Sequence, residues 1–520
     1  MSLIRKFTSV GSATMASRVL GFAREAMIAG LLGTGPVADA FYAAFRFPNL
    51  FRRLFAEGAF NSAFVPLFST ELEQGGKQAA RVFAEKVLSV FLPILLLITG
   101  VAMVFMPFLV GTIVAPKFAE NPEKFDLTVL LAQIMFPYLA AMSLVAMLSG
   151  VLNAFRHYFL AAIAPVLLNL VLVGILFAAW YQGWGPRDIG IGLAWGVFTA
   201  GLLQLGLLVL GVRKLGFGIS IKMPAMSPAV KRLLILALPT AIAGGITQIN
   251  LLVGQIIASA QEGAITIMNL ADRLVQLPLG IIAISIGVVL LPELTRALTA
   301  ENKGEALHLQ NRSLEFGLGL TIPAAVGLFM IPLPIIVLVY ERGAFLREDS
   351  ELAAMVLAAF ALGLPSFVLI KIFQPSFYAR QDMRTPMWFS GINAVVNIIL
   401  SLLFFPVYGV VGLAIATSIA GWINAVLLWM VLFYGKHFLI SVSTLRNVAM
   451  ICLSSAVMAI VLYIGQTMLA GDITDANLIY RILLVGALIG VSAIVYFGLV
   501  VATGAIAKEQ LLQLIRRKGK

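Results

Sequence analysis

The 520-residue chain is poor in charge, cysteine and histidine. Charged residues make up 12% of it, about half of the roughly 25% that soluble domains carry. The single cysteine, Cys452, excludes an internal disulfide and a thiolate metal cluster. Three histidines leave little for histidine-based chemistry, and no G-x-x-x-x-G-K-[ST] motif is present that could hydrolyse ATP. The low charge excludes a string of soluble domains.

Apolar sequence takes the place of the missing charge, with 61% hydrophobic residues and a mean hydropathy of +1.00. A helix needs about 20 residues to cross about 30 Å of hydrocarbon. Uncharged runs of that length recur along the whole chain, and one further run is interrupted only by Lys371. The eleven predicted spans are 88–116, 127–155, 158–186, 189–212, 233–261, 316–340, 352–379, 385–405, 407–435, 447–471 and 482–507.

Three more segments are apolar but carry charges inside, at 7–31, 38–70 and 264–292. They bring the prediction to about 14 transmembrane helices and the fold class to an all-α polytopic membrane protein. The block 385–435 contains no charge, so a turn between two helices is predicted at 406–409.

The distribution of lysine and arginine predicts the topology. An even number of spans places both termini on one side of the membrane, and positive charge marks the cytoplasmic side. With both termini in the cytoplasm, most of the 36 Lys and Arg fall at cytoplasmic positions, whereas acidic residues such as Glu341 and Asp472 fall outside. The net charge of +12 therefore reflects topology and contact with anionic membrane lipids. We expect no nucleic-acid partner, no metal and no cofactor.

An internal repeat is indicated by matching motifs. Arg156 and Asn169 are 13 residues apart, and so are Arg384 and Asn397, which follow them by 228 residues. Two bundles of like orientation, related by an axis along the membrane normal, form a common transporter architecture. The predicted domains are an N-terminal six-helix bundle at 1–215, a C-terminal six-helix bundle at 228–436, two additional helices at 443–507 and a basic cytoplasmic tail at 508–520.

Charges within the three charge-bearing spans are the candidate functional residues, because an arginine at the centre of a membrane helix costs about 2.5–3.5 kcal/mol. Arginines outnumber carboxylates there by six to four: Arg18, Arg24, Arg46, Arg52, Arg53 and Arg273 against Glu25, Asp39, Glu57 and Asp272. The surplus must face water or an anion, and guanidinium groups bind phosphate bidentately. A diphosphate head group is therefore the predicted ligand of Arg18, Arg24, Arg52 and Arg273.

Two interpretations stay open for the other charges in these spans. They form structural ion pairs, for which the candidates are Asp39 with Arg46 and Arg53 with Glu57, or they support the ligand site. Glu25 and Asp272 belong to the same set of supporting charges.

Several motifs closely resemble the MurJ (MviN) family of the multidrug/oligosaccharidyl-lipid/polysaccharide exporter superfamily. They are Ser17-Arg-Val-Leu-Gly-Phe-Ala-Arg-Glu25, Ala38-Asp-Ala-Phe41, Phe47-Pro-Asn-Leu-Phe-Arg-Arg-Leu-Phe-Ala-Glu-Gly-Ala-Phe60, Ala271-Asp-Arg-Leu274 and Phe377-Tyr-Ala-Arg-Gln-Asp-Met-Arg-Thr-Pro386. The resemblance runs the full length of the chain. It implies a flippase that moves lipid II, the undecaprenyl-diphosphate-linked peptidoglycan precursor, to the outer leaflet of the bacterial inner membrane for cell-wall synthesis.

The resemblance also implies roles for particular residues. Arg18, Arg24, Asp39, Arg52 and Arg273 would be the cavity residues that bind substrate, and the helices at 443–507 would form a groove for the polyprenyl tail. The implied partners are lipid II, membrane lipids and the cell-wall synthesis machinery. Some family members bind sodium through carboxylates on spans 7 and 11, but 233–261 and 385–405 contain no Asp or Glu. Membrane potential is therefore the expected energy source.

Alternative functions make different demands on the sequence. A flippase for another lipid-linked oligosaccharide fits the same charges, whereas an exporter of cationic drugs would need surplus carboxylate. A membrane enzyme would need a metal-binding acidic cluster or an activated nucleophile. Asp382 is the only interfacial candidate, and it lacks a second carboxylate nearby in sequence. We therefore predict a transporter and no enzyme.

Overall fold

The computed structural model describes residues 3–51, 53, 60–475 and 477–505, and every regular element in this part of the chain is helical. The chain divides into two compact units. The first comprises residues 1–266 and 343–345, and the second comprises 267–342 and 346–520.

The first unit contains nine α-helices among its described residues. The segment between α4 and α5 forms a π-helical turn at Val110–Val114 and a 3₁₀ turn at Pro116–Glu120. The helices are α1 Leu3–Leu32, α2 Pro36–Phe51, α3 Phe60–Val104, α4 Met106–Leu109, α5 Pro122–Met135, α6 Tyr138–Ala154, α7 Tyr158–Gln182, α8 Pro186–Lys214 and α9 Pro228–Ala258.

Most of the second unit is built from eight further helices, of which α10 begins at the end of the first unit. One buried core, formed by α10, α11, α13 and α15, contains Phe373, Leu428 and Phe438. A second core, formed with α16 and α17, contains Tyr496. The helices are α10 Ala264–Thr299, α11 Lys303–Met330, α12 Pro332–Val339, α13 Arg347–Tyr378, α14 Arg384–Tyr408, α15 Val410–Tyr434, α16 Val442–Asp475 and α17 Leu478–Ala502.

Local sequence signals explain where several helices begin. Asn121 precedes Pro122 and accepts a hydrogen bond from the Lys124 amide (3.1 Å), which caps α5. Ser227 precedes Pro228 and caps α9 in the same way. A capping oxygen accepts a hydrogen bond from one of the first backbone N–H groups of a helix. Proline is tolerated at the first position because the N–H group that it lacks would have no partner within the helix there.

Ten described helices are long and apolar enough to cross a membrane, and an eleventh is added when the bent α9 is treated as one span. These eleven correspond one to one with the eleven uncharged spans predicted from the sequence. The charge-bearing helices α1, α2 and α10 do not belong to this set. The structure therefore confirms an all-α polytopic membrane protein.

Three details differ from the sequence predictions or lie outside the description. The turn predicted at 406–409 occurs only at Gly409 (φ 57°), because α14 continues through Pro406. The predicted span 38–70 corresponds to α2 and the start of α3. Asp39 and Arg46 lie on α2, whereas Glu57 lies outside the described residues, so the predicted Arg53–Glu57 pair is not tested. The tail at 508–520 lies outside the described residues.

Candidate substrate-binding site

A buried arginine joins α1 to α7 in the first unit. Arg24 is 7% exposed, and its Nη1 donates to Asn169 Oδ1 at 3.0 Å while its Nη2 donates to Glu25. Asn169 in turn donates to the Ser17 carbonyl oxygen at 2.9 Å. The Asn169 amide on α7 therefore binds both a guanidinium and a backbone carbonyl of α1.

Glu25 completes this buried cluster. It is 2% exposed and accepts from Arg24 and from the Tyr42 hydroxyl on α2. The charge count left Arg24 without a carboxylate, and that expectation was wrong because the adjacent Glu25 folds back onto it. The guanidinium keeps one unused donor, however: Arg24 Nε is buried and bonds to no described group. An unsatisfied buried donor beside an ion pair is costly unless a ligand or water meets it.

Asp39 lies at the start of α2 in a second, distinct cluster. Its side chain is fully buried and accepts from Lys124 Nζ (2.9 Å), Gly263 N (2.8 Å), Thr266 N (3.0 Å) and Thr266 Oγ1 (2.7 Å). Two of these donors are backbone amides at the first turn of α10, where a carboxylate is favoured by the helix dipole. Asp39 therefore caps α10, and it is not paired with Arg46 as the sequence suggested.

Lys124 is a functional candidate that the sequence analysis did not identify. It sits in the first turn of α5, is 7% exposed, and its ammonium lies 4.0 Å from the centre of the Phe118 ring. The pair Asn121-Pro122 indicates the start of a helix, so the sequence could have placed Lys124 in the first turn of a helix, close to Phe118. Gln255 of α9 adds to the same region by donating to the Val114 carbonyl at 2.8 Å.

The other predicted site residues are distributed along α1, α2 and α10. Arg18 is half-buried on α1, and Arg46 is half-buried on α2. Arg273 is half-buried and Asp272 exposed on α10 in the second unit, where Gln276 Nε2 donates to Asp272 at 3.3 Å. Arg53 is exposed. Arg52 and Glu57 lie outside the described residues, so the predicted Arg53–Glu57 pair stays a prediction.

Asp382, which the sequence analysis considered as the candidate residue of a membrane enzyme, has a structural role. Its Oδ1 accepts from the amides of Arg384 and Thr385, both at 3.0 Å, at the first turn of α14. Hydrogen bonds from Thr385 hold the pKa of this carboxyl below its usual range. No cluster of three or more His, Cys, Asp or Glu able to hold a metal occurs among the described residues.

We expect the Asp39–Lys124 pair to be a strong determinant of stability. Asp39→Asn or Lys124→Met leaves a buried charge without its partner, which typically costs about 3–5 kcal/mol. The midpoint of thermal unfolding in detergent should fall for each variant, and the double variant should lose less than the sum.

Lys117→Met is the matched control, because it removes an exposed ion pair with Glu120 on the neighbouring turn. Exposed pairs contribute about 0–1 kcal/mol, so this variant should unfold near the wild-type temperature. Additive losses in the double variant would contradict a direct Asp39–Lys124 interaction.

The helical architecture defines a multi-pass membrane protein. Its fold is similar to that of an inward-facing multidrug-resistance MATE family transporter of the MOP superfamily, which matches with a TM-score of 0.67 at 14% identity, over 83% of this chain and 98% of that one. The family model described as "Lipid II flippase MurJ" matches residues 28–503. The chain therefore belongs to the MurJ lipid II flippase family.

Individual relatives agree with this assignment. A protein of Rhizobium tropici named "Probable lipid II flippase MurJ" is 50% identical over 100% of this chain and 97% of its own length. The protein of that name from Rickettsia prowazekii is 34% identical, with 96% and 97% covered. A structure titled "Lipid II flippase MurJ, inward closed conformation" matches with a TM-score of 0.76 at 28% identity, over 94% of this chain and 98% of that one.

Proposed function

We propose that this protein moves lipid II from the cytoplasmic to the outer leaflet of the bacterial inner membrane by alternating access, with both termini in the cytoplasm. The observation that carries the proposal is the 50% identity to a relative named as a lipid II flippase along the whole chain. Family membership supports a transporter that is no enzyme, and lipid II, membrane lipids and the cell-wall synthesis machinery are its proposed partners.

The buried cluster around Arg24 supports a diphosphate as the recognised group. Its guanidinium is held by Asn169 and Glu25 and keeps a buried, unused Nε donor. A guanidinium group that is held in one orientation and keeps an unused N–H donor suits phosphate oxygens, because each phosphate accepts several hydrogen bonds. Arg18, Arg52 and Arg273 complete the proposed head-group site.

Asp39 takes a different role in this proposal. Both of its carboxylate oxygens are already engaged by Lys124, Gly263 and Thr266, and the side chain is inaccessible. It therefore acts as a positioning residue that holds the starts of α2, α5 and α10 together, and it does not contact the head group in this conformation.

Fourteen spans in two six-helix halves plus two extra helices form the architectural part of the proposal. Five pairs of residues with left-handed backbone support the repeat, each separated by 220 to 230 residues. The pairs are Gly33 with Gly263, Gly76 with Glu301, Arg156 with Gln381, Gly183 with Gly409, and Gly216 with Lys436. Such conformations are uncommon for residues other than glycine, and Arg156, Glu301, Gln381 and Lys436 adopt them. The common order of the five pairs therefore favours two copies of one helical plan.

Depletion of the protein in living cells tests the function. We expect lipid II to accumulate on the cytoplasmic face, because synthesis of the precursor continues while its transfer stops. The measurement is the pool of lipid-linked intermediates, together with the fraction that an externally added enzyme can reach. Accumulation of a different glycan lipid, with lipid II transfer unchanged, would assign the protein to another lipid-linked oligosaccharide.

A further inference from the structure

A cavity of about 230 Å³ lies between α11, α13, α15 and α16 in the second unit. Every side chain that lines it is aliphatic or aromatic, with Leu318, Phe373 and Trp429 among them. A dry cavity of about 150 Å³ with such a lining already holds a benzene-sized molecule. This one is therefore large enough for a stretch of alkyl chain.

The cavity opens toward the surface that faces lipid. Its rim includes Trp422, Val426 and Leu445, which are 40%, 39% and 63% exposed. The α17 helix, which the family resemblance assigns to the groove for the substrate tail, contributes no lining residue. The cavity shares α16 with a groove between the last two helices, but α11, α13 and α15 form its other walls.

Trp429 indicates how deep the cavity lies in the membrane, and its indole carries a polar group. It lies five residues before the end of α15 at Tyr434, which is about 7.5 Å along a helix and close to the border between head groups and hydrocarbon. Its Nε1 is buried and bonds to no described group, whereas Trp422 Nε1 donates to the Leu362 carbonyl at 2.9 Å. This indole N–H does not face the cavity, so the lining offers a ligand apolar contacts alone.

The segment that closes one end of the cavity is basic, although Glu315 of α11 accepts a hydrogen bond from its Thr444 hydroxyl at 2.6 Å. The chain from 436 to 446 contributes Ile440 and Leu445 to the lining, carries Lys436 and Arg446, and contains no carboxylate. Arg380 Nη2 donates to the carbonyl oxygen of His437 in this segment at 3.3 Å. Burial, followed by the charges of Arg380 and Lys303, lowers the pKa of His437, so this imidazole adds little charge of its own near neutral pH.

We propose that this cavity binds one acyl chain of an anionic phospholipid, with the phosphate next to Lys436 and Arg446. The apolar lining selects the chain, and the basic segment selects the charge of the head group. The lipid joins α15 and α16 across the surface where their side chains leave a gap.

Quenching of tryptophan fluorescence by brominated acyl chains tests the proposal. The probe protein keeps only Trp429, with the other five tryptophans changed to Phe, and is placed in vesicles that contain brominated phosphatidylglycerol or brominated phosphatidylcholine at equal mole fraction. We expect clearly stronger quenching by phosphatidylglycerol. Val448→Phe, which fills the cavity, and Lys436→Gln with Arg446→Gln should each remove the difference.

A protein that keeps only Trp388 is the matched control. Trp388 is 68% exposed and lies four residues from the start of α14, so it reports bulk lipid and should be quenched equally by both phospholipids. Equal quenching of Trp429 by the two lipids would overturn the proposal. So would protection of Trp429 by an added polyprenyl diphosphate, since the cavity would then hold the substrate tail.

Discussion

Replacing Arg24 with alanine is expected to abolish growth of cells that depend on this protein, while the variant still accumulates in the membrane. The physical reason is that Arg24 is a buried guanidinium with an unused donor, held in place by Asn169 and Glu25. Arg24→Lys keeps the charge but loses the planar fork, so it should restore growth only in part. Complementation and membrane abundance are the two measurements.

A second variant separates substrate binding from a structural effect. Arg24→Ala alone removes an ion-pair partner of the buried Glu25 carboxylate, which can itself destabilise the fold. Glu25→Gln in the same chain removes the negative charge that this pair neutralised. If Arg24 binds the head group, the double variant should be as abundant as wild type and still inactive; recovery of growth would mean that the pair is purely structural. Arg296→Ala, whose side chain is 76% exposed, is the control.

Most of the fold could be predicted because hydrocarbon imposes a simple rule on sequence. All eleven uncharged spans correspond to helices that meet the length and hydropathy of a membrane span. The helix ends were less accessible, as α14 shows: proline at 406 removes one backbone hydrogen bond, but the helix continues to Tyr408 and turns only where Gly409 adopts φ 57°. Proline near a helix end is an imperfect stop signal because the surrounding helices can compensate for the lost bond.

The candidate site was predicted in its residue types and missed in its pairings. A charge count identifies an excess of arginine, but it treats all charges as interchangeable. Glu25 contacts its chain neighbour Arg24, and Asp39 contacts Lys124, which is 85 residues away. The tertiary packing of the helices determines which charged residues pair. The helical periodicity of a single segment contains no information about a lysine on another helix.

Crosslinking the start of α10 to the turn between α1 and α2 should stop lipid transfer. A Cβ added at Gly263 would lie 2.9 Å from the Thr34 Cβ, and Asp39 accepts hydrogen bonds from Gly263 and Thr266. The start of α10 therefore lies against the turn between α1 and α2 and the start of α2. Disulfides need Cβ atoms about 3.5–4.5 Å apart, so cysteine pairs of Thr34 or Val37 with Ala264 are the first to try. Cys452 is the single native cysteine and is changed to Ser.

Oxidation should then block the appearance of lipid II on the outer face, and reduction should restore it, because alternating access needs these predicted outer ends to separate. The control pair replaces Lys117 and Glu120, which lie one turn apart on the same 3₁₀ segment, so its crosslink should leave transfer unchanged. If no pair at this rim forms a disulfide, or if the locked protein still transfers lipid at the normal rate, alternating access is the wrong mechanism. The head group would then slide along a fixed groove while the tail stays in the bilayer.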